Sequence, residues 1–158
     1  MDSTQKGNDI ILDAGETGDD FAHFWQGFAV AIKNEDFVSF KKMSLDSVTC
    51  VKDTIIIGVD AFIQKYFKEI FDDILVNAFS KKDKVAFTKM IMDEAFYHPE
   101  APDQIKNKKG EYWIQEVQIN KGENSENNIV TVLLDFIQTK RGFKFKGYRM
   151  DSYNAEQR

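Results

Sequence analysis

The chain has 158 residues, of which 42% are hydrophobic and 30% charged, and its formal net charge is −5. Its single cysteine, Cys50, excludes an intramolecular disulfide framework and a cysteine-based zinc cluster, and the apolar fraction excludes a wholly disordered chain. A chain of this length suits one domain. No apolar run reaches the roughly 18–20 residues of a membrane helix, and the positive excess of nucleic-acid-binding proteins is absent, so we expect no membrane span and no nucleic-acid partner.

The two ends of the chain differ in composition from its middle. Residues 1–18 are rich in Gly, Asp, Ser and Thr, which is typical of a flexible tail, and residues 151–158 are polar. A single domain is therefore predicted over residues 19–150. As it stands, the chain shows no export signal, which indicates a cytoplasmic protein. A tail of this kind also resembles the tether of an exported bacterial lipoprotein, so export after removal of a signal is the alternative.

The first half of the domain is predicted to be mostly helical. Asp19 or Asp20 can cap a helix that ends at Asn34, and Asp36 can cap a shorter one. A third helix, continuous over three turns, is predicted from Asp60 to residue 75. Residues with helical spacing form an aromatic stripe on the first of these helices: Phe21, Phe24, Trp25, Phe28, Ala31 and Ile32.

The remaining segments indicate strands. Residues 47–51 and 54–59 are rich in β-branched side chains, whereas residues 85–96 fit a helix or a strand equally well. The last third predicts three strands, over residues 112–119, 129–137 and 143–150, with a bulge at Gly147 that keeps Tyr148 on the face of Phe143 and Phe145. Helices followed by a run of antiparallel strands predict the α+β class.

This order of elements resembles a known superfamily. The segments that carry the resemblance are FAHFWQGFAVAI (21–32), DFVSF (36–40), FIQKYFKEIF (62–71) and the last strands. They are similar to the nuclear transport factor 2-like (SnoaL-like, ketosteroid-isomerase-like) superfamily, in particular to its bacterial members. The resemblance implies a cone-shaped, strongly curved antiparallel sheet wrapped around N-terminal helices, a pocket at the open end of the cone, and homodimers formed through the outer sheet face. It assigns no catalytic residue.

Most catalytic signatures are missing from the sequence, and no cofactor is expected. There is no nucleophile elbow, phosphate-binding loop, dinucleotide fingerprint or zinc-protease motif. His23 could act as a base in a pocket, but its position at the edge of the aromatic stripe favours a solvated side chain. Glu94 and His98 have the spacing of two metal ligands on a helix, but no third ligand is near. We therefore predict no metal site.

Asp135 is the candidate acid or base, because it stands alone inside an apolar strand. If it faces the interior, loss of solvent would raise its pKa. If it faces outward, it meets water or pairs with Lys144 or Lys146. The residues predicted to contact a ligand are Trp25, Tyr112, Asp135 and Tyr148.

Three functions follow from these observations. The first is a non-catalytic domain that binds a small apolar or amphipathic ligand. The second is an isomerase- or hydratase-like enzyme in which Asp135 acts with Tyr112 or Tyr148. The third is a dimeric module that binds another protein through its outer sheet face. The sequence leaves open whether the chain is an enzyme.

Overall fold

The structure is a computed structural model and describes residues 14–50, 55–92, 102–106 and 108–154. The Glu94 and His98 pair lies outside these residues. The helices are α1 (Ala14–Lys33), α2 (Phe37–Lys42), α3 (Val59–Lys65), α4 (Phe67–Ile70) and α5 (Asp73–Ala78). The strands are β1 (Ser44–Cys50), β2 (Ile55–Gly58), β3 (Val85–Met92), β4 (Tyr112–Glu123), β5 (Asn128–Thr139) and β6 (Gly142–Asn154).

All six strands form one sheet in the order β2-β1-β6-β5-β4-β3. Neighbouring strands are antiparallel except for β1 and β6, which are parallel. The predicted α+β class is confirmed. The prediction of an antiparallel sheet is wrong for one pair of strands, because β1 pairs with β2 on one side and lies parallel to the last strand, β6, on the other.

One face of the sheet, here called the helix face, packs against the aromatic stripe of α1. Alternation along β5 places Val132, Leu134 and Phe136 on this face, and all three are fully buried. The Phe136 ring lies 5.0 Å from that of Phe28 on α1, in an edge-to-face arrangement. The opposite face, here called the far face, carries the intervening residues of β5, including Asp135 and Ile137.

The predicted bulge at Gly147 is confirmed. The pairing of β5 with β6 shifts register between Asp135 and Phe136, with Gly147 opposite Asp135 and Phe145 opposite Phe136. Lys146 is the extra residue of this bulge. As a result, Phe145 and Tyr148 both belong to the core on the helix face.

Several predicted boundaries are wrong. Helix α1 begins at Ala14, five residues before the predicted cap, and β6 continues to Asn154 in the segment predicted to be a tail. The continuous helix predicted over residues 60–75 is three short helices. The Asp72 side chain accepts a hydrogen bond from the backbone N–H of Leu75 at 2.9 Å and so starts α5 anew. In this separate helix Ile74 is 59% exposed, whereas Leu75 is fully buried.

Candidate functional site

A groove of about 760 Å³ opens between α1, α5 and the edge strand β3. It exists because β3 has a neighbour on one side only and α5 is short, so the space beyond them is not covered by another described element. We call it the α1–α5–β3 groove. Its apolar lining includes Trp25, Ala29, Val30, Phe79, Val85 and Phe87.

Aromatic rings form the wall of this groove. Trp25 is almost fully buried and packs edge-on against Phe79, with ring centroids 5.1 Å apart, and against Phe87 at 6.1 Å. Phe87 is nevertheless 42% exposed, and Val30 on α1, which also lines the groove, is 56% exposed. Large apolar side chains exposed together in a concave site are typical of binding surfaces.

Three lysines also line the groove. Lys33 ends α1, and Lys81 and Lys82 lie in the turn that follows α5. No carboxylate lines the groove among the described residues, and the three lysines make no ion pair within that part of the chain. The described lining of the groove is therefore positive, in a chain whose net charge is negative.

Asp135 lies on the far face, in an ion cluster with Arg149 and Glu116. The Arg149 Nε and Nη2 atoms donate to the two oxygens of Asp135, each at 3.1 Å, and Nη2 also donates to Glu116. Burial raises the pKa of the Asp135 carboxyl, and the charges of Arg149 and Lys146 partly oppose this rise. The main partner is thus Arg149 rather than the predicted Lys144 or Lys146, because the bulge at Gly147 changes which residues of β6 reach the far face.

Tyr148 lies on the helix face, in the core. It is 2% exposed, and its ring contacts that of Phe62 on α3 at a centroid distance of 6.1 Å. Burial, together with the neighbouring Cys50, raises the pKa of the Tyr148 hydroxyl. Burial also raises the pKa of the Cys50 thiol. Both groups are therefore neutral parts of the core.

The four predicted ligand residues do not form one site. Trp25 lines the α1–α5–β3 groove, whereas Asp135 and Tyr148 lie on opposite faces of the sheet. Tyr112 shares the far face with Asp135 but is four residues from Glu116 along β4, about 13 Å at the usual rise per residue. Lys106 lies over its ring, with Nζ 5.6 Å from the centroid.

His23 is exposed on α1, as predicted. It borders a second, smaller groove, of about 450 Å³, between α1 and the turn that joins β5 to β6. The groove residues that sequence reasoning missed are Phe87 and the lysines. Their positions beside Trp25 depend on β3 being an edge strand, and the sequence left that segment undecided.

The fold and the groove together define a small α+β protein with an aromatic groove that is bordered by lysines. Comparison with protein-family models, curated proteins and solved structures finds no match for this chain. Within the described ranges, no three His, Cys, Asp or Glu side chains are grouped so that they could hold a metal ion. None of the helices described is both long and apolar enough to cross a membrane.

Proposed function

We propose that this chain is a non-catalytic binding domain that holds a small, partly apolar ligand in the α1–α5–β3 groove. The observation that carries the proposal is the exposed Phe87 ring beside the buried Trp25 in a concave apolar site. Binding would remove the exposed part of Phe87 and Val30 from water, and this burial favours association by about 25 cal/mol per Å² of apolar surface.

We further propose that the sheet and helices form the cone of the nuclear transport factor 2-like superfamily and that the groove is its open end. The order of elements supports this proposal: two helices, a hairpin, further helices and four antiparallel strands. The packing also supports a ligand site at the edge of the sheet rather than between α1 and the middle of the sheet. Rings of Phe21, Phe28 and Phe136, all fully buried, occupy the space between α1 and the middle of the sheet.

A groove-filling variant tests the proposal. Ala29 is half-buried in the groove, so Ala29→Phe would fill it with a ring. With Nile red as an apolar probe, we expect this variant to bind about tenfold more weakly than the original chain, a difference of about 1.4 kcal/mol. Binding is measured by titration of the probe's fluorescence.

Ala86→Phe is the matched control, because Ala86 is exposed on the same edge strand but on the opposite face from Phe87. It adds the same ring outside the groove and should leave binding unchanged. Circular dichroism checks that both variants are folded. Equal binding by Ala29→Phe and the original chain, or no binding of Nile red at all, would contradict the proposal.

The enzyme hypothesis requires a tyrosine hydroxyl and Asp135 at one ligand atom. Asp135 instead contacts Arg149 on the far face, and Tyr148 lies in the core on the other face. No observation among the described residues favours this function over ligand binding. The homodimer stays a prediction.

A further inference from the structure

We infer that the ligand of the α1–α5–β3 groove is an amphipathic monoanion, a fatty-acid-like carboxylate with a medium-length alkyl chain. This inference rests on the proposed function and adds the chemical class of the ligand. It starts from the uneven distribution of apolar and charged side chains along the groove.

The groove has an apolar end and a charged end. Ala22 and Phe87 lie near the start of the groove, where the Phe87 ring contacts Phe21 of α1 at 5.3 Å. Lys33 lies 11 positions beyond Ala22 on α1, about 16 Å along the helix axis. An extended alkyl chain of medium length covers this distance, with its head group at the lysine end.

Three lysines line the groove, Lys33 at the end of α1 and Lys81 and Lys82 in the turn that follows α5. Asp83 belongs to the same turn but does not line the groove. Among the described residues these ammonium groups have no carboxylate partner, and an anion bound beside them gains charge-assisted hydrogen bonds. Charge complementarity therefore selects an anionic head group over a neutral one.

The helix ends at this position favour a single negative charge. Helix α1 ends at Lys33 and α5 ends at Ala78, and residues at both ends line the groove. The C-terminus of a helix carries a partial negative charge, which offsets part of the lysine charge. A carboxylate is consequently a better match than a phosphate dianion, and the described groove offers no arginine for bidentate phosphate binding.

Paired ligands that differ only in the head group test the inference. Decanoate, decanol and decyl phosphate are titrated into the full chain by isothermal calorimetry. We expect decanoate to bind about tenfold more tightly than decanol, since the charge-assisted hydrogen bonds are partly exposed to solvent. Decyl phosphate should bind no better than decanoate. Added salt should reduce the advantage of decanoate, because it screens exposed charges.

Charge-removing variants assign the effect to the lysines. In the triple variant Lys33→Gln, Lys81→Gln, Lys82→Gln, the affinity for decanoate should fall to that for decanol, and the affinity for decanol should not change. Lys65→Gln, an exposed lysine at the end of α3, is the matched control and should leave both affinities unchanged.

The outcomes separate the two proposals. Equal affinity for decanoate and decanol, a preference for decanoate that survives in the triple variant, or a clear preference for decyl phosphate would overturn the inference while leaving the proposed function intact. If none of the three ligands binds, or if they bind equally well to Ala29→Phe, the proposed function falls and the inference falls with it.

Discussion

Gly147 of strand β6 lies opposite Thr49 of the parallel strand β1. A Cβ atom built on Gly147 would lie 2.1 Å from the backbone carbonyl oxygen of Thr49, a distance that no side chain tolerates. Because the clashing atom belongs to the backbone, one of the two strands must move. We expect Gly147→Ala to lower the free energy of unfolding by about 3 kcal/mol, as measured by urea denaturation.

Gly27 provides the matched control, since it is exposed on α1 and a Cβ there would meet nothing within 4 Å. Gly27→Ala should raise the free energy of unfolding by about 0.5–1 kcal/mol, because alanine loses less conformational freedom in a helix. If Gly147→Ala is as stable as the original chain, the close approach of β1 and β6 is wrong.

Asp135 is a residue whose contribution to stability depends on pH. Its pKa in the folded chain is raised above the ordinary value of 3.8, so the folded state holds the proton to higher pH than the unfolded state does. Asp135 therefore contributes to the free energy of unfolding at low pH. This contribution is lost as the pH rises from 3.8 through the raised pKa of the folded chain. Asp135→Asn removes this dependence.

The measurement compares the free energy of unfolding of Asp135→Asn and the original chain across that pH window. As the pH rises, we expect the free energy of unfolding of the variant to increase relative to that of the original chain, although the variant has lost one acceptor for Arg149. A constant difference at all pH values would show that burial does not shift the Asp135 pKa. Unchanged ligand binding by the variant would also separate Asp135 from the groove.

Among the elements, the short helix α5 depends on its N-cap. Asp72 accepts a hydrogen bond from the Leu75 N–H at 2.9 Å and pairs with Lys121 of β4 at 2.7 Å. Asp72→Ala should lower the free energy of unfolding by about 1–2 kcal/mol, because it removes the cap and the ion pair together. Thermal and urea denaturation both measure this loss.

Two variants separate the contributions at this helix. Lys121→Met removes only the ion pair, and Asp73→Ala removes an exposed carboxylate in the first turn of α5 that is not the capping residue. Each variant should lower the free energy of unfolding by less than about 1 kcal/mol. If Asp73→Ala costs as much as Asp72→Ala, the capping role of Asp72 is contradicted.

At the scale of the whole molecule, one large core around Phe136 joins the five helices to strands β1, β4, β5 and β6, and partly buried residues of β2 and β3 pack against it. The Phe136 ring lies within 6.3 Å of the rings of Phe21, Trp25, Phe28 and Phe145. We therefore expect unfolding in a single transition, with coincident curves from tryptophan fluorescence and circular dichroism.

Phe136→Ala should lower the free energy of unfolding by about 3–5 kcal/mol and shift both curves together. Phe87→Ala, at the 42% exposed ring on the groove wall, is the control and should cost clearly less, because that side chain is only partly removed from water. Separate transitions for the two probes would mean that the sheet and helices do not share one core.

Local pattern was sufficient to predict much of this fold. The spacing of Phe21, Trp25 and Phe28 predicted α1, Asp36 predicted the start of α2, and the interruption at Gly147 predicted the bulge. All three are confirmed, since each depends on backbone preferences or side-chain periodicity within a few residues. The same patterns predicted the α+β class.

Contacts between distant parts of the chain decided the rest. The hydrophobic periodicity alone favoured one helix over residues 60–75. In the structure, Asp72 instead caps the separate short helix α5 and forms an ion pair with Lys121, which is distant in the sequence. The partner of Asp135 depended on the register of β6, and the groove depended on β3 lying at the edge of the sheet. A chain encodes its periodicity locally, whereas strand order, register and open edges result from the free energy of packing the whole molecule.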